Sequence, residues 1–347
     1  MTVRTLLHAD ADAFYASVAL RGRPELAAAP VAAVAHVFIA SANYPARACG
    51  VRSGSLVQDA LARCPDLVLV EVPRAEIEEV GDALLDLFHA SARAVEPGSI
   101  EEAFLDVGPV GWEGAVEAAA DLRSRAAEEL GIPVSVGVGR TKLMAKLASR
   151  AAKPDGIHVI GIEQEAVLRS GLPISDVWGI GPATQRRLGL LGVEKLADID
   201  SIPPATLLKS CGTTMARQLW GIRNSTDDAV VRPVERRSSL TAEGSIQGYN
   251  RPDLTPAELV ENCVERACRR AQGAGLAAAG ITLTLKPVRS ATSVVLKRGA
   301  PNATADRDVW LAVARELLRP GHAPELVGVR VTLTGLVPAD RLQDRLF

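Results

Sequence analysis

Two short apolar runs broken by carboxylates constrain this chain more than any other feature. One is His8-Ala9-Asp10-Ala11-Asp12 behind Leu6-Leu7. The other is Ser99-Ile100-Glu101-Glu102-Ala103-Phe104-Leu105-Asp106. Acids within strand-like segments are costly to bury unless they are paired or hold a cation. Set side by side in one sheet, the runs bring Asp10, Glu101 and Glu102 around one point. Three oxygen-donor side chains with little else describe a Mg²⁺ site that keeps room for substrate phosphates. Read alone, Glu101-Glu102 behind Pro97-Gly98 is equally a pair of turn or edge-strand acids facing water. Neighbouring strand residues point to opposite faces, so convergence of both on one site requires a bend or a strand end there.

A chain of 347 residues exceeds one ordinary core and is expected to hold about two to four domains. Its composition, 48% hydrophobic and 23% charged, is that of a globular protein. No apolar stretch reaches the roughly 18 residues of a membrane helix and no signal-peptide pattern follows Met1, so a cytoplasmic protein without membrane contact is expected. The five cysteines include no CxxC pair and cannot all pair, which points to small buried hydrophobes in a reducing compartment. The net charge of −2 hides an asymmetry. Residues 232–347 carry 17 Lys+Arg against 12 Asp+Glu, and the remainder carries 22 against 29. A basic C-terminal third fits a phosphate-binding module joined to a metal-binding one. Aromatic residues are only 3%, which argues against base stacking on single strands and for phosphate tracking along a duplex.

Along the chain, a strand ending at Asp10 is followed by a helix from Ala13 to Leu20, Val/Ala-rich strands from Val31 to Ile39, and the turn Gly50-Val51-Arg52-Ser53-Gly54. Glu76 to Val95 has helical periodicity. A helix is expected near 115–130, a strand over Val134–Val138, and a Lys/Arg-rich helix over Thr141–Ala152 closed by Lys153-Pro154-Asp155-Gly156. Interleaved strands and helices of this kind suit an α+β sheet with helices on one face. From Pro173 short helices are separated by Gly. Trp178-Gly179-Ile180-Gly181-Pro182 with Arg186-Arg187 has the look of a helix-hairpin-helix, whose backbone N–H groups can face a phosphate; the stretch around Cys211-Gly212 is a candidate degenerate second copy. A basic extended linker leads to a final β-α-β-β-α-β segment, opened by the capping box Thr255-Pro256-Ala257-Glu258. Lys286, Arg289, Lys297 and Arg298 fall at or near the ends of its middle strands, where they are candidates to follow a line of phosphates.

Taken in order, Asp10-Ala11-Asp12-Ala13-Phe14-Tyr15-Ala16-Ser17-Val18, Ala42-Asn43-Tyr44-Pro45-Ala46-Arg47, Ser99 to Asp106, Val136-Gly137-Val138-Gly139-Arg140-Thr141-Lys142 leading to Lys153-Pro154-Asp155-Gly156, and the Gly179–Gly181 hairpin resemble the Y-family translesion DNA polymerases of the DNA polymerase IV branch. The resemblance covers essentially the whole chain. It implies an α+β multidomain right hand: a ferredoxin-like palm (1–13 and 73–165), small fingers (14–72), a helix-hairpin-helix thumb (166–230), a linker (231–238), an α/β little finger (239–340) and a tail (341–347). The activity it implies is low-fidelity, template-directed transfer of a deoxynucleotide to a primer 3′-hydroxyl with two Mg²⁺, Mn²⁺ being a substitute. Asp10 and Glu101 would bridge both ions, Glu102 would hold the ion at the primer hydroxyl, and the Ala11 carbonyl would complete the nucleotide side. Ser41, Tyr44, Arg47 and Lys153 match the family's triphosphate contacts, with Phe14 beside them and Tyr15 at the aromatic steric gate. Gly179, Gly181 and Arg186, with the four basic residues of the last segment, would meet primer–template DNA. Gln343, Leu346 and Phe347 match a Q-x-x-L-F peptide that docks on the sliding clamp. A monomeric bacterial mutator protein, cytoplasmic and nucleoid-associated, is the expected setting.

The chain departs from the family pattern at three places. Glu101 stands where the family has Asp, the Val34–Ala42 stretch is short with Phe38 where small residues sit, and the linker pattern breaks after Arg236-Arg237. Two rival readings follow from the same residues. One is a catalytically weak or inactive polymerase-like DNA-binding adaptor in repair. The other is a nucleotidyl cyclase on a similar palm, which has no use for the hairpin or the basic C-terminal segment.

Overall fold

The run Leu6–Ala11 is the middle strand of a five-stranded sheet in the order Ala94–Pro97, Glu102–Asp106, Leu6–Ala11, Val134–Gly139, Ile157–Val159. It is antiparallel to both neighbours, with Asp10 opposite Glu102 on one side and Ser135 on the other. The two-residue period of a strand divides the side chains between two faces. Leu6, His8 and Asp10 share one face with Glu102, Phe104, Gly137 and Gly139. Leu7, Ala9, Leu105, Val136 and Val138 share the other and are fully buried.

Helix Lys142–Ala152 lies on the first face at a separation that only glycine allows. A Cβ on Gly137 would stand 2.0 Å from the Ser149 amide nitrogen and 2.1 Å from the Ala145 carbonyl oxygen, and one on Gly139 would stand 2.5 Å from the Ala145 nitrogen. The Thr141 hydroxyl caps this helix by accepting from the Met144 amide. Its pitch then sets the lysines of the helix over the acids of the strands.

The computed structural model describes residues 4–227, 230–233, 238–290, 292–318 and 325–341. Gln343, Leu346 and Phe347, and the linker residues Arg236 and Arg237, lie outside them. The chain forms two compact units, each drawing on separated segments. Residues 1–12 with 81–234 make the first: the sheet above and the helices Ile162–Gly171, Pro182–Gly189, Pro204–Cys211 and Thr213–Arg223. Those helices enclose Leu172, Val177, Leu188, Leu207, Leu219 and Ile222. Arg169 is buried among them, donating to the Ile222 carbonyl at 2.7 Å and paired with Asp227 at 2.6 Å and Glu165 at 3.2 Å.

Residues 13–80 with 235–347 make the second unit. Its three-stranded sheet runs Phe38–Ala42, Val31–Ala35, Val68–Glu71, and the first two strands are joined through His36 in the left-handed region (φ 56°). The C-terminal segment has the expected β-α-β-β-α-β order, Ser239–Ser245, Pro256–Gly273, Leu276–Pro287, Val294–Thr304, Arg307–Leu317 and Leu326–Pro338. Both halves of the Thr255–Glu258 capping box are formed. One face of its four-stranded sheet packs Leu240, Ile281, Leu283, Val329 and Val331 against Val260, Val264 and Trp310 of the two helices. Glu78 and Arg266, at 2.5 Å, and the Glu71 carboxylate on the Tyr249 amide, at 2.6 Å, join the early and late segments of this unit. Among the described residues, no helix is long and apolar enough to cross a membrane.

Candidate active site

Glu102 opens the strand Glu102–Asp106, and Glu101 lies in the bend before it rather than on the strand. The bend is the geometric condition that two adjacent acids need to turn toward one site. The Glu101 carbonyl accepts from the Ala11 amide at 3.0 Å, which holds the bend against the end of the central strand. Asp10 and Glu102 sit opposite each other in register with their side chains on the face covered by helix Lys142–Ala152.

Each of these two carboxylates meets a lysine from that helix or its end. Lys146 Nζ donates to Glu102 Oε2 at 2.5 Å, and Lys153 Nζ to Asp10 Oδ1 at 2.6 Å. The Lys153 ammonium also lies 3.5 Å from the Ala11 carbonyl oxygen. Asp10 and that carbonyl therefore converge on one positive charge. Asp12 is buried behind them, accepting from the Ser135 hydroxyl at 2.8 Å and the Asp155 amide at 2.7 Å, with Lys153 3.4 Å away. Asp12 thus fixes the Lys153–Asp155 turn and, through it, the lysine.

His8 is buried beneath the acids, with Nδ1 2.7 Å from the Ser149 hydroxyl and Nε2 3.4 Å from Glu102 Oε2. Burial pulls the imidazole below its ordinary pKa, so it faces Glu102 as a neutral hydrogen-bond partner. The His8 hydrogen bond, then the Lys146 ammonium, overcome burial and bring the Glu102 carboxyl down to about 2. Burial pushes the Glu101 carboxyl up, and the adjacent Asp10 and Glu102 charges push the same way. His8, Asp10 and Glu102 offer ligand atoms all within 4.8 Å of one another. Two lysine-paired carboxylates, a backbone carbonyl and a neighbouring third acid are hard oxygen donors suited to a divalent cation, and His8, already engaged by Glu102 and Ser149, supports that set from below.

Gly179, in the left-handed region (φ 90°), and Gly181 make the turn that opens helix Pro182–Gly189, where Arg186 is exposed. Trp178, at this turn, is half exposed and its ring stands 6.2 Å from that of Phe104. In the second unit, Asn43 caps helix Tyr44–Ala48, its carboxamide oxygen accepting from the Ala46 and Val31 amides. Arg47 donates to the Ala42 carbonyl at 2.8 Å and lies over the Tyr44 ring, 4.9 Å from its centroid, so both side chains are held in place. Ser41 and Phe14 are buried, Tyr15 is half-buried, and the two aromatic rings meet edge to face at 6.0 Å.

The basic residues of the C-terminal segment divide between faces. Lys286 and Lys297 project from the open face of the sheet, whereas Arg298 belongs to the opposite face and is ion-paired with Glu316 of helix Arg307–Leu317. Adjacent strand residues alternate, so Lys297 and Arg298 cannot share a surface. Arg289 lies past the strand end, almost wholly exposed and 3.8 Å from Glu325. Sequence reasoning left Asp12, His8 and Lys146 without a role. The signal for Lys146 was its spacing, since 142, 146, 149 and 153 repeat at helical intervals on one side.

The model of the impB/mucB/samB family matches residues 9–150, and that of the same family's C-terminal domain matches residues 240–346. A DNA polymerase IV of Pseudomonas syringae pv. syringae (strain B728a) is 36% identical over 260 residues, 73% of this chain and 73% of that protein. The DNA polymerase IV of Desulfatibacillum aliphaticivorans is 33% identical over 362 aligned positions, covering 100% of this chain and 89% of that one. Among solved structures, a chimera of the Y-family DNA polymerases Dbh and Dpo4 superposes with a TM-score of 0.72 at 25% identity, covering 96% of this chain and 99% of that one. An insertion ternary complex of Dbh DNA polymerase gives 0.69 at 25%, covering 95% and 98%. The chain belongs to the impB/mucB/samB family, and within it to the Y-family DNA polymerases of the DNA polymerase IV type.

Proposed function

We propose that this protein extends a primer 3′-hydroxyl with deoxynucleotides chosen by a DNA template, at low fidelity and across lesions, using two Mg²⁺ ions held by Asp10, Glu101, Glu102 and the Ala11 carbonyl. The observation that carries the reading is the Lys153 ammonium shared by Asp10 and the Ala11 carbonyl, with Glu102 in register beside Asp10. Bound divalent cations supply an activated attacking oxygen and a stabilised pyrophosphate leaving group. The side chains do the rest. Lys153, paired with Asp10 in the free protein, passes to the triphosphate, where it adds a point charge and Arg47 a planar fork. Ser41 and Tyr44 donate hydroxyls to the same group, Phe14 backs the site, and Tyr15 presses on the sugar where a ribonucleotide carries its 2′-hydroxyl. Glu102, held ionised by Lys146 and His8, stays ready for a cation at neutral pH.

In this reading the Gly179–Gly181 turn and Arg186 meet the duplex backbone, as do Lys286, Arg289 and Lys297 from the C-terminal segment. Gln343, Leu346 and Phe347 dock on the sliding clamp, and the protein works as a monomer. Primer extension tests the whole. Wild type incorporates nucleotides with Mg²⁺ or Mn²⁺, and Asp10→Ala does not. Indistinguishable incorporation by the two would end the catalytic reading. Duplex binding by a wild type that extends nothing with either metal would favour the DNA-binding adaptor.

A further inference from the structure

On the open face of the C-terminal sheet, opposite the side packed by its two helices, cross-strand register sets side chains in rows. Thr241, Thr332, Thr282 and Lys297 form one row, and Glu243, Arg330, Thr284 and Val295 the next. Lys286 stands two residues along the strand from Thr284 on the same face. Apart from Val295, the face is hydroxylated and basic, and Glu243 is the one acid in these two rows. That carboxylate is held by two cations of its own sheet. Arg330 directs Nε and Nη2 to a single oxygen, Oε2, at 3.1 and 2.9 Å, and Lys286 Nζ reaches the same oxygen at 3.5 Å. Three cationic nitrogens gathered on one anionic oxygen is the arrangement a phosphodiester oxygen would receive. All three side chains are 40–48% exposed, so the oxygen is open to exchange.

We propose that Glu243 is a built-in stand-in for a DNA backbone phosphate: it holds Arg330 and Lys286 together in the free protein and competes with the duplex for them. The proposal rests on the reading that this face meets primer–template DNA. It adds Arg330 to the phosphate contacts and gives Glu243 the opposite task, setting how weakly the face grips. Arg330 and Lys286 arrive pre-ordered, and a phosphate must displace a carboxylate to reach them. Binding is weakened and release made easier without loss of either cation. Burial pushes the Glu243 carboxyl up, but the Arg330 hydrogen bond and the Lys286, Arg330 and Arg74 charges outweigh it and hold the group below the usual carboxylate range.

Equilibrium binding of the full-length protein to a fluorescein-labelled primer–template duplex, without nucleotide, tests this across a salt series. Glu243→Gln is expected to tighten binding about three- to tenfold near 100 mM salt, from the freed cations and the lost repulsion. The slope of log Kd on log salt should steepen by about one to two, as two more cations neutralise phosphates. Adding Arg330→Ala to Glu243→Gln returns affinity to wild type or below. Glu243→Thr places a hydroxyl beside Arg330, in the row of Thr284, at no cost in strand preference and gives the same gain if the Gln variant folds poorly by thermal melting. Unchanged or weaker binding by a folded Glu243→Gln or Glu243→Thr, beside a wild type that binds the duplex, overturns the proposal and leaves the polymerase reading standing. A wild type that binds no duplex overturns both.

Discussion

Glu101 differs from Asp by one methylene, and it does so in a tight place. Its peptide carbonyl is fixed on the Ala11 amide, and its carboxyl is pushed up by burial beside Asp10 and Glu102. The extra reach cannot be taken up by the backbone, and Mg²⁺ requires near-octahedral oxygens at about 2.0–2.1 Å, a stricter demand than that of more adaptable divalent ions. Glu101→Asp is therefore expected to raise the Mg²⁺-supported rate by roughly three- to tenfold, with a smaller gain in Mn²⁺. Single-nucleotide incorporation under single-turnover conditions reads this out, and a variant no faster than wild type with Mg²⁺ would refute it. The acids themselves were readable in the sequence, because carboxylates inside apolar runs demand a reason. Their supporters were not. Lys146 finds Glu102 across 44 residues and the Asp155 amide finds Asp12 across 143, and each pairing exists only once helix and strand are stacked.

The helix Lys142–Ala152 sets Lys146 and Lys153 over the acids by resting on the strand Val134–Gly139, and the two glycines of that strand explain how it comes so close. Gly137-Val138-Gly139 reads in sequence as part of a family motif. In the fold it is a flat place on one strand face where a helix backbone rests. Gly137→Ala puts a methyl against the Ser149 nitrogen and the Ala145 carbonyl, backbone atoms that cannot swing aside. It should cost about 3 kcal/mol or more and lift the helix that carries Lys146 and Lys153. Thermal unfolding and primer extension should fall together, and a variant with wild-type melting would show that the helix can shift freely. Much of the order of elements was legible, through the periodicity of long helices and the capping box at Thr255, whereas the helices Tyr44–Ala48 and Ile162–Gly171 were not anticipated. Strand lengths were not legible. The strand Leu276–Pro287 begins in Leu276 to Gly280, mostly small residues with no alternation to read, so its start carries no sequence signal. The position of Glu101 just outside its strand followed from the requirement for a bend, but no residue pattern located it.

At the scale of the whole chain, segments far apart in sequence cohere. Residues 13–80 gather with 235–347, held by pairs such as Glu78 with Arg266, 188 positions apart, which no local pattern announces. The acidic earlier part and basic last third were visible from counting alone, and the open sheet face with Lys286, Lys297 and Arg330 gives that basic charge a surface. Gln343-Asp344-Arg345-Leu346-Phe347 presents two large apolar side chains, each worth about 1.5–3 kcal/mol when moved from water into a pocket. A clamp pocket that accepts both recovers that energy at no cost to the polymerase fold. Tethering of this kind would keep the enzyme near its primer and turn rebinding into an intramolecular event. Removing residues 343–347 should leave single-nucleotide incorporation unchanged without a clamp. With a loaded clamp, wild type should make longer products per encounter, whereas the truncated chain should make the same short ones as in its absence. Clamp affinity unaffected by the truncation would show that the tail serves its own domain instead.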